Sequence, residues 1–244
     1  MKSPDHWKLL RSSDESKVRR GLGLVEKAHA QQPDPSHIME LGVAYLWVRH
    51  YGSAWEHFDL AIKEDRAGTD CYYGMAGASK WCVGEFDEAV RLWAAGTKAA
   101  FQDTAGLGIT LPLLLFFASV KEPATFERQA AEKLLMGKTT DSRIRIWPGP
   151  IASWMLGQIS EVEFRGRRDG EDEAGILDRR WLAEFYAGVL QHGEGKFCEF
   201  SKTMQKLGDT SQPEWSDDTF FLARMWSEEF FLARSAIESK SLRG

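Results

Sequence analysis

The sequence is poor in cysteine, with three in 244 residues: Cys71, Cys82 and Cys198. That is too few for a disulfide framework. Cys71 and Cys82 stand eleven residues apart. On one helix they would share a face roughly 16 Å apart, beyond the reach of a disulfide or a shared metal ion. Reduced thiols and a cytoplasmic location are the expectation. Long apolar runs are also lacking. The longest, "GITLPLLLFFASV" at 108–120, is too short to span a bilayer and reads as a buried helix. Pro112 should mark its first turn or a kink. Nor is there an excess of positive charge: 31 Lys and Arg stand against 36 Asp and Glu, a net charge of −5. With no basic stripe, nucleic acid is not an expected partner. The opening "MKSPDHWKLLRSSDESK" has no apolar core and no cleavage site, so no signal peptide is expected.

What is present is ordinary globular composition, 43% hydrophobic and 27% charged, arranged as a repeat. The stretch "WCVGEFDEAVRLWAAG" at 81–96 falls on "LWVRHYGSAWEHFDLA" 35 residues earlier. Gly77 falls on Gly42, Trp81 on Leu46, Phe86 on Tyr51, Ala89 on Ala54 and Trp93 on Phe58. A glycine inside a helix costs about 1 kcal/mol relative to alanine. Gly42 and Gly77 therefore imply close helix approach. Ala54 and Ala89 would give room from the facing helix, and Tyr45, Phe58 and Trp93 would fill the space between. Gly84 should make the turn. Glu85, Asp87 and Glu88 suit a helix start.

The period and the run Ile38-x₂-Leu41-Gly42-x₂-Tyr45, then Ala54-x₃-Phe58 and Ala61, resemble the tetratricopeptide repeat (TPR). A second copy carries Tyr73, Gly77, Gly84, Phe86, Ala89 and Trp93, with Lys80 in place of the tyrosine. Degenerate copies precede and follow. Gly21, Val25 and Ala28 lie 33 residues before Ala54, Phe58 and Ala61, and Pro33 ends that helix. Residues 184–204 place Gly188, Gly195 and Phe197, with Phe200 at the usual alanine position. The runs "WPGPI", "LGQIS" and "FYAG" followed by "GEGKF" are also similar to the later repeats of bacterial TPR lipoproteins that act as adaptors for cell-envelope enzymes. The resemblance implies an all-α, TPR-like helical solenoid of antiparallel helix pairs forming one domain over 1–244. Its best repeats are 35–68 and 70–103, and its degenerate ones 1–34 and 181–209.

Elsewhere, 104–121 and 123–136 read as a further helix pair, the first buried on all sides. Pro148 and Pro150 break the chain, and Pro150 starts the next helix. The charged, glycine-rich stretch at 163–175 reads as a loop around a short helix. Residues 216–240 read as one long C-terminal capping helix, with Ser216 or Asp217 as its cap.

Chemistry is weakly signalled. Six histidines, His6, His29, His37, His50, His57 and His192, form no H-x₃-H, so no metal site is expected. Gly21-x-Gly23 has no preceding strand and is no phosphate loop. The acidic neighbours Asp217-Asp218, Glu228-Glu229 and Glu171-Asp172-Glu173 point apart on a helix and read as solvated faces. No cofactor is implied.

In TPR folds the first helix of each pair lines a concave groove. Carried over by repeat position, the groove residues are Met39, Val43, Leu46 and Trp47, then Cys71, Gly74, Ala78, Trp81 and Cys82. Such a groove takes a peptide or helix, and the apolar segment 111–120 competes for it. If the groove is open, Trp47 and Trp81 are partly exposed in the free chain. The resemblance thus implies a non-enzymatic scaffold for a protein or peptide partner, in the manner of an immunity-type inhibitor, an assembly chaperone or an adaptor. The alternative is an enzyme with an unrecognised site near Trp81 and Cys82, using a Cys–His pair.

Overall fold

The computed structural model describes residues 5–10, 12, 14–31, 35–65, 68–100, 108–169 and 176–209, together with Leu222, Met225 and Trp226. Apolar positions recur near the helical period, and the described residues fold accordingly as α-helices. They contain no strand longer than an isolated bridge at Thr69. Contacts gather into two compact units, Met1–Gln102 and Asp103–Gly244, where the sequence reads as one domain.

The first unit holds α1 (Asp5–Leu10), α2 (Glu15–Gln31), α3 (Pro35–Trp47), α4 (Tyr51–Glu64), α5 (Asp70–Trp81) and α6 (Phe86–Gly96). Each odd helix packs on the even helix that follows it, and α2, α3, α4 and α5 pack in sequence. Within α3/α4, the edge of the Phe58 ring sits where a side chain at Gly42 would begin, 2.6 Å from an ideal Cβ there. Within α5/α6, Trp93 does the same at Gly77, with its Nε1 nearest that position. Ala54, Phe58, Ala89 and Trp93 have no exposed surface. The glycine cost read from the sequence is thus offset by aromatic burial, worth roughly 1.5–3 kcal/mol for a large apolar side chain. Gly21 closes α2 onto α1 in the same manner, against the backbone of His6 and Leu10.

The turns repeat as well. His50 N–H donates to Tyr45 O at 2.9 Å, and Glu85 N–H to Lys80 O at 3.0 Å. These bonds close the first helix of each pair, and the residue just before each donor is left-handed. That residue is Gly84 (φ 81°) in one turn and Arg49 (φ 62°) in the other.

The second unit holds α7 (Thr110–Lys121), α8 (Arg128–Thr139), α9 (Gly149–Met155), α10 (Glu161–Asp169), α11 (Ile176–Gly193) and α12 (Phe197–Asp209), with a 3₁₀ turn at Ser142–Arg145. Every residue of α7 from Leu111 to Val120 is buried, and the helix packs on α8 and α11. Phe117 meets Phe185 of α11 at 5.6 Å and Trp226 at 5.5 Å. The buried Ser119 hydroxyl donates to Phe116 O at 2.7 Å and is thereby satisfied within the apolar helix.

The second unit also differs from the sequence reading at several boundaries. Helix α7 is preceded by a turn at Gly108, with Ile109 as its cap, and Pro112 lies in its first turn. Residues 101–107 lie outside those described. Helix α8 begins at Arg128, not 123, because Thr125 turns the chain: its N–H and hydroxyl both reach Glu122 O, at 2.9 and 2.8 Å. Within 163–175, α10 extends back to Glu161, and residues 170–175 lie outside those described. So does Pro33, and so does the capping helix expected at 216–240, apart from Leu222, Met225 and Trp226.

Candidate protein-binding surfaces

The first candidate is the face that the sequence assigns to a groove on α3 and α5. These two helices are neighbours. The structure places Met39, Val43, Leu46 and Trp47 on α3 and Ala78 and Trp81 on α5, with Cys82 as its C-cap. Most of them are not open to solvent. Trp81 has 0% of its surface exposed, Leu46 1% and Trp47 5%. Val43 and Ala78 are buried too, Met39 and Cys82 are half-buried, and Cys71 is exposed.

The partial exposure of the two tryptophans that an open groove would require is therefore not found. For Trp81 the reason is local. Its ring stacks on Trp93 at 5.4 Å and meets Phe86 at 4.6 Å, both on the facing helix α6. Trp81 belongs to the joint between two helices of one hairpin.

Beside these helices lies a polar cluster that sequence spacing does not reveal. Tyr45 of α3 stacks on His50 at 6.2 Å and meets His57 of α4 at 5.1 Å, while His29 of α2 meets His57 at 6.1 Å. Tyr45 donates its hydroxyl proton to Glu26 Oε1 at 3.0 Å. Burial, then the hydrogen bond to Glu26, raises the phenol above its ordinary pKa. His57 Nδ1 lies 2.8 Å from Ser53 O. The groups come from three helices and from positions far apart in sequence, which is why no short motif announces them. Among the described residues no three His, Cys, Asp or Glu side chains are placed to hold a metal ion.

The second candidate lies in the second unit, where the 18 residues of α11 meet the nine of α10. Among the described residues, so short a helix leaves part of the α11 flank uncovered. Two clefts open there. One, about 470 Å³, is lined by Arg165 and Arg168 of α10, Arg180, Trp181 and Glu184 of α11, and Lys206 and Leu207 of α12. The other, about 530 Å³, shares Arg165, Arg168 and Glu184 and reaches Trp154, Leu190 and Gln191. Both volumes fall in the range of ordinary ligand sites, roughly 300–1,000 Å³.

The first cleft is organised by one carboxylate. Asp169 accepts from Arg168 Nε and Nη2, each at 2.8 Å, and from Arg180 Nε at 2.9 Å. Those two guanidinium groups hold its carboxyl well below the usual carboxylate range. Arg179 Nε donates to Arg168 O at 2.9 Å, tying the start of α11 to the end of α10. Arg165 pairs with Glu161 at 2.8 Å, and Lys206 with Glu184 at 2.5 Å. At the far end, Trp154 stacks on Phe164 at 4.4 Å with planes 3° apart. The sequence alone reads this stretch as a charged loop around a short helix. The available signal is the pair of arginine runs, "RGRR" and "DRR".

The α11/α12 hairpin repeats the packing of the first unit. Gly188 faces Met204, whose Cε lies 2.6 Å from an ideal Cβ. Gly195 is left-handed at φ 71°, and Lys196 N–H donates to Gln191 O at 2.8 Å. Phe200 fits the alanine position by packing against Trp226 at 4.9 Å. His192 lies beside it, 5.2 Å from Phe200 and 5.3 Å from Trp226. Burial, then the charge of Lys121, lowers its pKa.

No protein-family model matches the chain, and no curated protein does. The fold and surfaces define an all-helical protein built of sequential helix hairpins. No helix among the described residues is long and apolar enough to cross a membrane.

Proposed function

We propose that this chain is a TPR-like, non-enzymatic scaffold that binds a partner protein. One observation carries the reading. Three hairpins, α3/α4, α5/α6 and α11/α12, share a single lock: a helical glycine, a left-handed residue seven positions on, and a large side chain sixteen positions on that covers the glycine. In this arrangement the inward residues serve the joints between helices. The outward faces of the hairpins remain as surface, the kind on which stacked-helix proteins hold other chains.

Fold alone does not fix function, so the test is direct. The tagged full chain is used to capture proteins from the source organism. The captured protein is then made separately and mixed with the chain. A stoichiometric complex of defined mass by light scattering supports the scaffold reading. Its identity as a toxin, a folding client or an enzyme separates the immunity, chaperone and adaptor forms. Turnover of a small molecule lost on alkylating Cys82 would replace it with the enzyme reading.

A further inference from the structure

We propose that the cleft between α10, α11 and α12 is the docking site for an acidic, extended segment of the partner protein. This rests on the scaffold reading and names the surface and the chemistry it recognises.

Charge is the first argument. The chain as a whole carries −5. Yet among the described residues the smaller cleft is lined by four cations, Arg165, Arg168, Arg180 and Lys206, and one carboxylate, Glu184. Among the described residues Arg165 pairs with Glu161 and Lys206 with Glu184, while the single carboxylate of Asp169 serves both Arg168 and Arg180. The described lining of this cleft is cationic in an anionic protein. The side chains of Arg165 and Lys206 are 63% and 62% exposed, so their pairs with Glu161 and Glu184 are weak and exchangeable. Arg168, by contrast, is fixed by its two-point bond to Asp169. A carboxylate arriving from outside meets preorganised guanidinium groups, which bind carboxylates in two-point fashion.

Shape is the second argument. The α11 residues that line the two clefts run from Arg180 to Gln191, with Glu194 just beyond the helix end. At 1.5 Å per residue that floor is about 20 Å long, which matches about six residues of extended peptide. The two ends differ in chemistry. Arg180 and Lys206 stand at one end and Trp154 and Leu190 at the other, with Arg165 and Arg168 shared by both clefts and Glu161, Glu194 and Lys196 on the Trp154 side. The Trp154 ring is already held by its stack on Phe164, so it offers an apolar seat at little ordering cost. The occupant that fits carries carboxylates at one end and an apolar side chain about 20 Å away or less.

The probe is a fluorescein-labelled octapeptide of Glu residues ending in Leu-Trp, titrated into the full chain at about 50 mM salt, where exposed charges are little screened. Its control is the same peptide with Gln for Glu. The Glu peptide should bind and the Gln peptide should not. The double variant Arg165→Gln, Lys206→Gln should weaken binding on the order of tenfold, a loss of about 1.4 kcal/mol. Arg19→Gln, on the exposed face of α2, should bind as the native chain does. Circular dichroism and melting show that both variants are folded.

Equal binding of both peptides, or of native and double variant, overturns the proposal. So does full displacement of the peptide by inorganic phosphate at equal concentration, which would make the cleft a simple anion site. Tighter binding by a chain with Glu171, Asp172 and Glu173 all changed to Gln also overturns it, because the cleft would then serve the chain's own acidic run. If the captured partner binds native and double-variant chains alike, the cleft proposal fails and the scaffold reading stands. If the peptide binds through Arg165 and Lys206 but no partner is ever captured, the cleft chemistry holds and the scaffold reading fails.

Discussion

The indole of Trp93 occupies the place where a side chain at Gly77 would begin, and its N–H donates to Gly74 O at 3.1 Å. One residue thus fills the gap between α5 and α6 and fastens to the backbone it covers. Gly77→Ala gains helix propensity of about 1 kcal/mol but displaces the ring and breaks that bond. Net destabilisation of roughly 1–3 kcal/mol is expected in urea denaturation. Gly42→Ala should cost less, because the Phe58 ring it displaces has no hydrogen bond to lose. Gly23→Ala, on the exposed side of α2 with open space around it, should stabilise by up to about 1 kcal/mol.

Arg49 and Gly84 stand at the same place in successive turns, both left-handed. A non-glycine residue there is strained by roughly 1–2 kcal/mol. Arg49→Gly should therefore raise the melting temperature, and Gly84→Ala should lower it. Equal shifts of one sign would show that the two turns are not equivalent.

Ala54→Leu and Ala89→Leu should each destabilise by roughly 1–3 kcal/mol by overpacking a fully buried position. Glu56→Leu and Asp87→Leu, at exposed positions close by in the same helices, should have little effect. Trp81→Ala should cost about 3–5 kcal/mol by opening a cavity against Trp93 and Phe86. That stability loss, and not a selective loss of partner affinity, is the expected result.

His192 gives the fold a dependence on acid. Its pKa is lowered in the folded chain, so the unfolded chain takes up the proton first as pH falls. The contribution of neutral His192 is present above its unfolded pKa of about 6.5 and is lost as pH falls through the lower folded value. His192→Gln should flatten the fall in melting temperature as pH drops below about 6.5. Asp169 acts in a lower window. Its carboxyl is depressed, so its contribution is present above the ordinary carboxylate pKa and fades only in stronger acid. Asp169→Asn should remove that acid-side loss while loosening α10 from α11.

The glycines and their aromatic partners make the hairpins legible in the sequence. Gly42 with Phe58 and Gly77 with Trp93 are separated by one spacing, and a glycine inside a helix is costly unless a neighbouring element packs closely against it. Gly84 announces its turn, whereas Arg49 hides the equivalent one, because a left-handed arginine carries no compositional mark. The groove is less legible. Repeat position puts Trp81 on the first helix of its pair but does not say that Phe86 and Trp93 enclose it. The cleft beside α10 is legible only as two arginine runs, without their geometry. It depends on α10 being shorter than the helix it flanks, and on Asp169 reaching Arg180 across eleven residues.

The shared lock of the hairpins bears on how the chain reaches its fold. Each lock closes over sixteen residues, within one helix pair, so its contacts are local in sequence. Low contact order of this kind favours rapid folding, because little loop-closure entropy opposes each step. Native-state hydrogen exchange should accordingly resolve the chain into successive cooperative segments, each about one hairpin long.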